Sequence, residues 1–330
     1  MKQYLDLMQK IMNEGTPSNN RTGVWDKALF GEMYKVQLQK ESDGIIKGFP
    51  LLTTKKMSLK TIFIELMWKL SGSTNIQPLV KQNVHIWTEW PFKDWLLKTD
   101  QQVKQFTDES QKTVTDEWQS ALEIYEQQIS KDNVFAEKFG NLGITYGHNA
   151  RHFGKIELTN TSSTKNKLVV YEGKDQVTEA LHRIKNKPSD RRIIISLWDP
   201  ANEMNTLLPP CPCFYQFNAR VEDSLDLNLY QRSCDFFLGV PYNTAQDTLM
   251  LCLFAHVTGK KPRQFTHVFG DVHLYHNHFD VVNEQLLREP RELPSLRIKR
   301  PTDDIFSITW EDIEILNYNP HPPLKAQVAV

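Results

Sequence analysis

The spacing of apolar residues changes period along the chain, and the changes mark out its elements. MKQYLDLMQKIMNEG places Tyr4, Leu7, Met8, Ile11 and Met12 on one helical face, with Gly15 as a stop. The same period predicts helices over 58–71, where Ile62, Leu66 and Leu70 recur every fourth residue, over 175–187, and over 243–258, which Gly259 terminates. Period two replaces it in SLDLNLYQRS, where Leu225, Leu227 and Leu229 alternate with polar residues. Strands are also predicted at RRIIISLW and CFYQFNAR. Helices and strands mixed in this way give an α+β class, a mixed β-sheet with helices around it. The most motif-like residues fall at strand ends and on the loops after them, where binding groups are usually placed.

One stretch breaks the composition. Between about 91 and 140, charged and amide residues dominate, with apolar positions spaced as in surface helices, which predicts a helical insertion. LTNTSSTKNK at 158–167 predicts an exposed loop. The sequence has neither an internal repeat nor a Gly/Ser-rich linker, so the expected organisation is one domain over 1–330 that carries the insertion.

With 330 residues, 40% of them hydrophobic, the chain can bury a large core. Its 39 basic and 40 acidic residues leave a formal charge of -1, so bulk charge predicts neither a nucleic-acid nor a membrane partner, and any anion site must be local. No apolar run reaches the roughly 18 to 20 residues that span a bilayer, and the N-terminal helix lacks a signal-peptide core. The four cysteines (Cys211, Cys213, Cys234 and Cys252) lack the density of a disulfide scaffold and fit a reducing compartment. A soluble, cytoplasmic protein is expected, in a host's cytoplasm if the chain is viral.

LLPPCPCFYQF holds Cys211 between prolines just before a predicted strand, and proline fixes its own φ and restricts its neighbour, so the thiol has a defined place. A cysteine is also a good small hydrophobe, so position alone does not make it a nucleophile. Cys213 adds a C-x-C pair, but no further cysteine or histidine cluster completes a tetrahedral site, and no metal is expected. Arginines shift the balance. A thiol attacks as thiolate, and nearby guanidinium groups lower its pKa. The candidates are Arg21 in NRTG, Arg191 and Arg192 in SDRRI, and Arg232 beside Ser233 in YQRSCD. Because Arg191 and Arg192 open an apolar strand, one of them should point inward. Arginine forks also match phosphate geometry, which would give a phosphate and a thiolate the same support. Taken one at a time, the remaining residues read plainly. Trp87 and Trp90 are core aromatics, Glu65 a solvated charge, Asn243 a helix N-cap, Asp235 a turn residue, and His273 with Tyr275 a strand pair.

Several separated motifs together carry more. PPC followed by YQF, then LYQRSCDFFLGVPYN, then FGDVHLYHNH, resemble the core signature of the thymidylate synthases, in order and at near-family spacing. RTG at 21–23, GFPLLTTKK at 48–56, ELMW at 65–68, HIWTEW at 85–90, LGITYG at 142–147 and the C-terminal KAQVAV fit the same family. The resemblance covers about 1–90 and 141–330, and the insertion resembles one that some bacterial members carry and others lack. It implies that Cys211 adds to C6 of a uracil nucleotide, dUMP, and makes C5 a carbon nucleophile. Arg21, Arg232 and Ser233 would hold the phosphate, joined by Arg191 and Arg192 from the other subunit of a homodimer. His273 and Tyr275 would bond the sugar 3'-hydroxyl, and Asn243 would accept from N3–H and donate to O4 of the base. The co-substrate 5,10-methylenetetrahydrofolate would lie against Trp87, Asp235, Leu238, Gly239 and Tyr242, with Lys55 at its glutamate tail and Val330 closing the site. Glu65 would organise proton transfers through water, and Tyr146 would assist removal of the C5 proton.

The chain also departs from the family pattern. Pro212 follows the nucleophile where many members have His, and His148, Asn149 and Ala150 stand where a Gln-Trp pair is usual. Trp25 and Asp26 replace small residues after RTG, Trp198-Asp199-Pro200 replaces Trp-Asn-Pro, and Thr244, Ala245, Gln246 and Asp247 differ from the usual run after Asn243. The lost ring at Ala150 and the altered 244–247 run keep open a phage-type relative that quenches the exocyclic methylene with water and makes 5-hydroxymethyl-dUMP. Two other readings are a nucleotide-binding homologue without catalysis and a cysteine hydrolase, for which the chain carries no local signature.

Overall fold

The computed structural model describes residues 1–20, 22–105, 114–159 and 167–328. Helix α1 (Lys2–Glu14) precedes strands β1 (Thr16–Ser18), β2 (Asp26–Gln37), β3 (Gln39–Lys40) and β4 (Ile46–Lys47). Helices α2 (Leu59–Leu70), α3 (Gln77–Val80), α4 (Glu89–Lys98), α5 (Asp116–Lys131), α6 (Asn133–Phe139) and α7 (Tyr146–His152) come next. After β5 (Ile156–Thr159), β6 (Lys167–Tyr171), α8 (Gln176–Asn186) and β7 (Ile194–Ser196), the chain builds β8 (Pro212–Asn218), β9 (Ser224–Asp235) and α9 (Gly239–Val257). The order ends with β10 (Lys261–Tyr275), α10 (Phe279–Leu287), β11 (Ser295–Ile298) and β12 (Ile313–Leu316). These elements form two compact units, one of Met1–Phe63, Ala180–Ile194 and Cys211–Val330, the other of Ile64–Glu179 and Ile195–Pro210. The expected α+β class with a mixed sheet is what forms.

The first unit is organised by a sheet in which β1, β2, β10, β9 and β8 follow one another in that order. β10 runs parallel to β9, while β2 against β10 and β8 against β9 are antiparallel. The alternation read in β9 holds: Leu225, Leu227 and Leu229 are fully buried on the inner face. On that face Tyr34, His267, Leu229 and Tyr215 stand in one register row across four strands. On the outer face the adjacent row is Met33, Val268, Tyr230 and Phe214, and Met33, Tyr230 and Phe214 remain exposed. Helix α9 packs against β9 and β10 and is buried on nearly every side, with Thr244, Gln246, Asp247 and Thr248 as buried polar residues among its apolar ones.

Two expectations in this unit need correction. α9 starts at Gly239, four residues before the predicted start, so Asn243 lies in its second turn and is not an N-cap. The cause is Asp235, whose Oδ1 accepts from the N–H groups of Phe237 and Leu238, both at 3.0 Å, and turns the end of β9 into the helix; Pro241 sits in the first turn, where no N–H is required. The strand predicted from RRIIISLW is only Ile194–Ser196. Arg191 and Arg192 therefore precede it, and both are exposed; neither points inward, because the strand alternation has not begun.

In the second unit the insertion is helical as expected, but it has a core of its own. Phe92 packs edge-on against Trp118 with centroids 4.8 Å apart, Trp95 against Tyr125 at 5.4 Å, and Tyr125 against Phe135 at 5.8 Å. Thr115 caps α5 through Trp118 N, and Asp132 caps α6 through Val134 N and Phe135 N. Of the predicted loop at 158–167, positions 158, 159 and 167 belong to the β5–β6 pair, and 160–166 lie outside the described residues.

Candidate active site

Cys211 leads into β8, and its carbonyl accepts the N–H of Arg232 at 2.9 Å and the Cys213 thiol at 3.4 Å. These bonds fix the nucleophile candidate directly beside Arg232 on β9. Gly270 on β10 makes the neighbouring approach possible, since a Cβ there would stand 2.8 Å from the Arg232 carbonyl and 2.9 Å from Tyr230 Oη. Cys213, Cys234 and Cys252 are buried and Cys211 is not. Burial pushes the Cys213 thiol up, with Arg232 pulling the other way, and pushes Cys234 and Cys252 up strongly. Three cysteines are thus held as inert thiols, and Cys211 is the one a substrate can meet.

The end of β9 and the start of α9 gather the polar groups. Asn243 is half-buried, and its Oδ1 accepts from Gln231 Nε2 at 3.2 Å; the same Nε2 donates to the Ser233 carbonyl at 3.1 Å. Asp235 is a turn residue, as its plain reading held, but only Oδ1 is used in the turn. Leu238, Gly239 and Tyr242 follow within one helical turn, and a Cβ on Gly239 would lie 3.6 Å from Asn243 Oδ1 and 3.8 Å from Asp235 Cβ. His273 Nδ1 donates to Asp271 Oδ1 at 2.7 Å, and the ring packs against Tyr275 at 5.0 Å. Burial alone would lower the His273 pKa, but the bond to Asp271 and the charges of Asp235, Asp271 and Asp26 outweigh it, and the net shift is upward. Lys55 is 3% exposed, donates to the Phe237 carbonyl and lies over the Phe237 ring, and burial lowers it to about 8.

The second unit holds another cluster. Glu65 is 7% exposed and is not the solvated charge its position on a helix suggested. Its Oε1 accepts from Trp87 Nε1 at 2.9 Å and pairs with Lys69 at 2.8 Å. Lys69 also lies 4.9 Å from the Tyr146 ring centroid and 5.6 Å from that of Trp87, while Trp87 and Tyr146 meet edge to face at 5.0 Å. Lys69 was missed in the sequence, although its i,i+4 spacing from Glu65 was the available signal. Trp87 is core, as its plain reading had it, and at the same time the donor that orients a carboxylate.

The departures find local partners. Trp25 stacks on His276 with centroids 4.4 Å apart, and buried Asp26 accepts from Asn20 Nδ2 at 2.5 Å. Asn149 donates to the Leu197 carbonyl at 2.8 Å, with buried Ala150 beside it in sequence. Asp199 accepts from Ala201 N at 3.1 Å and Asn202 Nδ2 at 2.8 Å. Arg191 and Arg192 are placed on the surface of the first unit, and Arg21 and Val330 lie outside the described residues.

A partly accessible thiol fixed beside an arginine, an amide of set direction and a histidine bonded to a carboxylate are groups that suit cysteine chemistry on an anionic, hydrogen-bonding substrate. The family model described as Thymidylate synthase matches residues 2–330, insertion included. A thymidylate synthase of Malacoplasma penetrans (strain HF-2) is 40% identical over 330 residues, 100% of each chain, and one of Mycoplasma mobile (strain ATCC 43663 / 163K / NCTC 11711) is 39% identical over 331 residues, again 100% of each. The chain belongs to the thymidylate synthase family, whose members so named are methyltransferases.

Proposed function

We propose that the chain converts dUMP to dTMP by reductive methylation, with 5,10-methylenetetrahydrofolate as co-substrate. The observation that carries this reading is the accessible Cys211 beside Arg232 in a chain that matches the family from end to end. Cys211 adds to C6 of the uracil, and C5 becomes the carbon nucleophile. Arg232, Ser233 and Arg21 hold the phosphate, His273 and Tyr275 the 3'-hydroxyl, and Asn243 the base. Glu65 and Tyr146 serve the proton transfers, including loss of the C5 proton. The folate supplies a one-carbon unit and then a hydride, and leaves as dihydrofolate. The spare Oδ2 of Asp235 and the Cβ-free surface of Gly239 suit a pterin edge, with Leu238 and Tyr242 in the same turn, and the family resemblance adds Trp87. Lys55 meets the glutamate tail on this reading, and Val330 closes the site.

The working form we propose is a homodimer in which Arg191 and Arg192 reach the partner's phosphate site. Their exposure supports it, as does the apolar row of Met33, Val268, Tyr230 and Phe214 on the outer sheet face. A reducing cytoplasm would suit four cysteines that form no disulfide.

Incubation with dUMP and methylenetetrahydrofolate, with both products identified, tests the reaction. Dihydrofolate with dTMP is expected; tetrahydrofolate with 5-hydroxymethyl-dUMP would overturn methylation in favour of hydroxymethylation. Cys211→Ser should abolish turnover yet still bind dUMP, because the phosphate ligands lie elsewhere, and a near-normal rate would remove the nucleophile assignment.

A further inference from the structure

Behind Asn243, four side chains make a continuous polar line through the interior of the first unit. Tyr34 Oη meets Thr244 Oγ1 at 2.6 Å, Thr244 Oγ1 meets His267 Nδ1 at 3.1 Å, and His267 Nε2 meets Gln231 Oε1 at 2.9 Å. All are buried, at 5%, 1%, 0% and 2% exposure in that order for Tyr34, Thr244, His267 and Gln231. Three strands and the central helix contribute: β2, α9, β10 and β9.

The direction of every proton in this line is determined. The Ser233 carbonyl can only accept, so Gln231 presents Nε2 to it and Oε1 to His267. Nε2 of His267 must then carry the ring proton. Burial pushes His267 down to about 3, so the ring is neutral and Nδ1 is bare. Nδ1 accepts a hydrogen bond from the Thr244 hydroxyl, and Thr244 Oγ1 in turn accepts from Tyr34 Oη. The line ends with Gln231 Nε2 donating to Asn243 Oδ1 at 3.2 Å. A wrong tautomer at His267 would set a bare nitrogen against Gln231 Oε1, a costly mismatch between two buried groups.

We propose that Tyr34, Thr244 and His267 are positioning residues that fix the Gln231 amide, hence the Asn243 amide, and so set the preference for uracil over cytosine. The proposal rests on dUMP being the substrate. Uracil offers N3–H and O4 to an amide, and cytosine offers a bare N3 and an NH2, so an Asn243 amide held one way accepts the first pattern and opposes the second.

The test compares dissociation constants of dUMP and dCMP, by calorimetry on the full chain, for wild type, Thr244→Val, Thr244→Ser and His267→Gln. Valine keeps the shape of Thr244 and removes its proton, so the dUMP preference should fall about tenfold or more, as loss of one buried hydrogen bond with a mispaired neighbour implies. Serine restores the hydroxyl and should restore the preference. Folded Thr244→Val with wild-type preference would overturn the relay. Should the valine variant not fold, His267→Gln decides: its amide can offer oxygen or nitrogen to Gln231, so its preference should fall, and an unchanged preference overturns the relay equally. A wild-type chain that binds neither nucleotide defeats the dUMP reading itself, which is a separate failure.

Discussion

His267, at 0% exposure and with burial holding it at about 3, is uncharged at any pH where the protein works. An unfolded chain titrates a histidine near 6.5, so between pH 6.5 and 3 the unfolded state binds a proton that the native state refuses. Stability from this group therefore falls as pH falls through that window, by up to about 1.4 kcal/mol per pH unit, and is flat above it. Urea unfolding at pH 7 and pH 5 should show the wild type losing about 2 kcal/mol more than His267→Gln, and equal losses would mean the ring is charged in the fold. Residues of this kind were hidden in the sequence, because nothing about HVFGD says that a histidine faces Gln231 and Thr244 from three directions of the core. Cys211 was visible because prolines flank it. Arg191 and Arg192 misled for a defined reason: alternation was applied three residues before the strand that would impose it.

At the scale of elements, strands β9 and β10 do most to place the site, and their parallel pairing depends on Gly270. A methyl there meets main-chain oxygen of Arg232, which cannot swing aside as a side chain could. Gly270→Ala should cost about 1 to 3 kcal/mol of stability and weaken dUMP binding, since Arg232 and the Cys211 carbonyl bonded to it shift together. Urea unfolding and calorimetry read the two effects, and a variant with native stability and affinity would show that β9 tolerates the displacement. Helices α1, α2, α8 and α9 were legible from period alone, to within a few residues, because each buries a wide apolar face. The start of α9 was not. The bond that sets it comes from the side chain of Asp235, outside the periodic segment. The insertion's aromatic core was equally opaque, because its rings are spread from Phe92 to Phe135 with polar residues between them.

For the whole molecule, the proposed homodimer would be carried by the outer sheet face of the first unit. Tyr230 is 41% exposed in the middle of the apolar row, and a charge there opposes burial against a second copy. Tyr230→Glu should shift sedimentation from dimer toward monomer and lower activity in parallel, through loss of the Arg191 and Arg192 contributions; a dimer of unchanged strength would place the interface elsewhere. The cysteines have another consequence at this scale. With Cys213, Cys234 and Cys252 shut away and protonated, a native chain offers an alkylating reagent one equivalent of sulfur where a denatured chain offers four. The stoichiometry of labelling is thus a head count of competent molecules, and dUMP bound over Cys211 would bring that count toward zero.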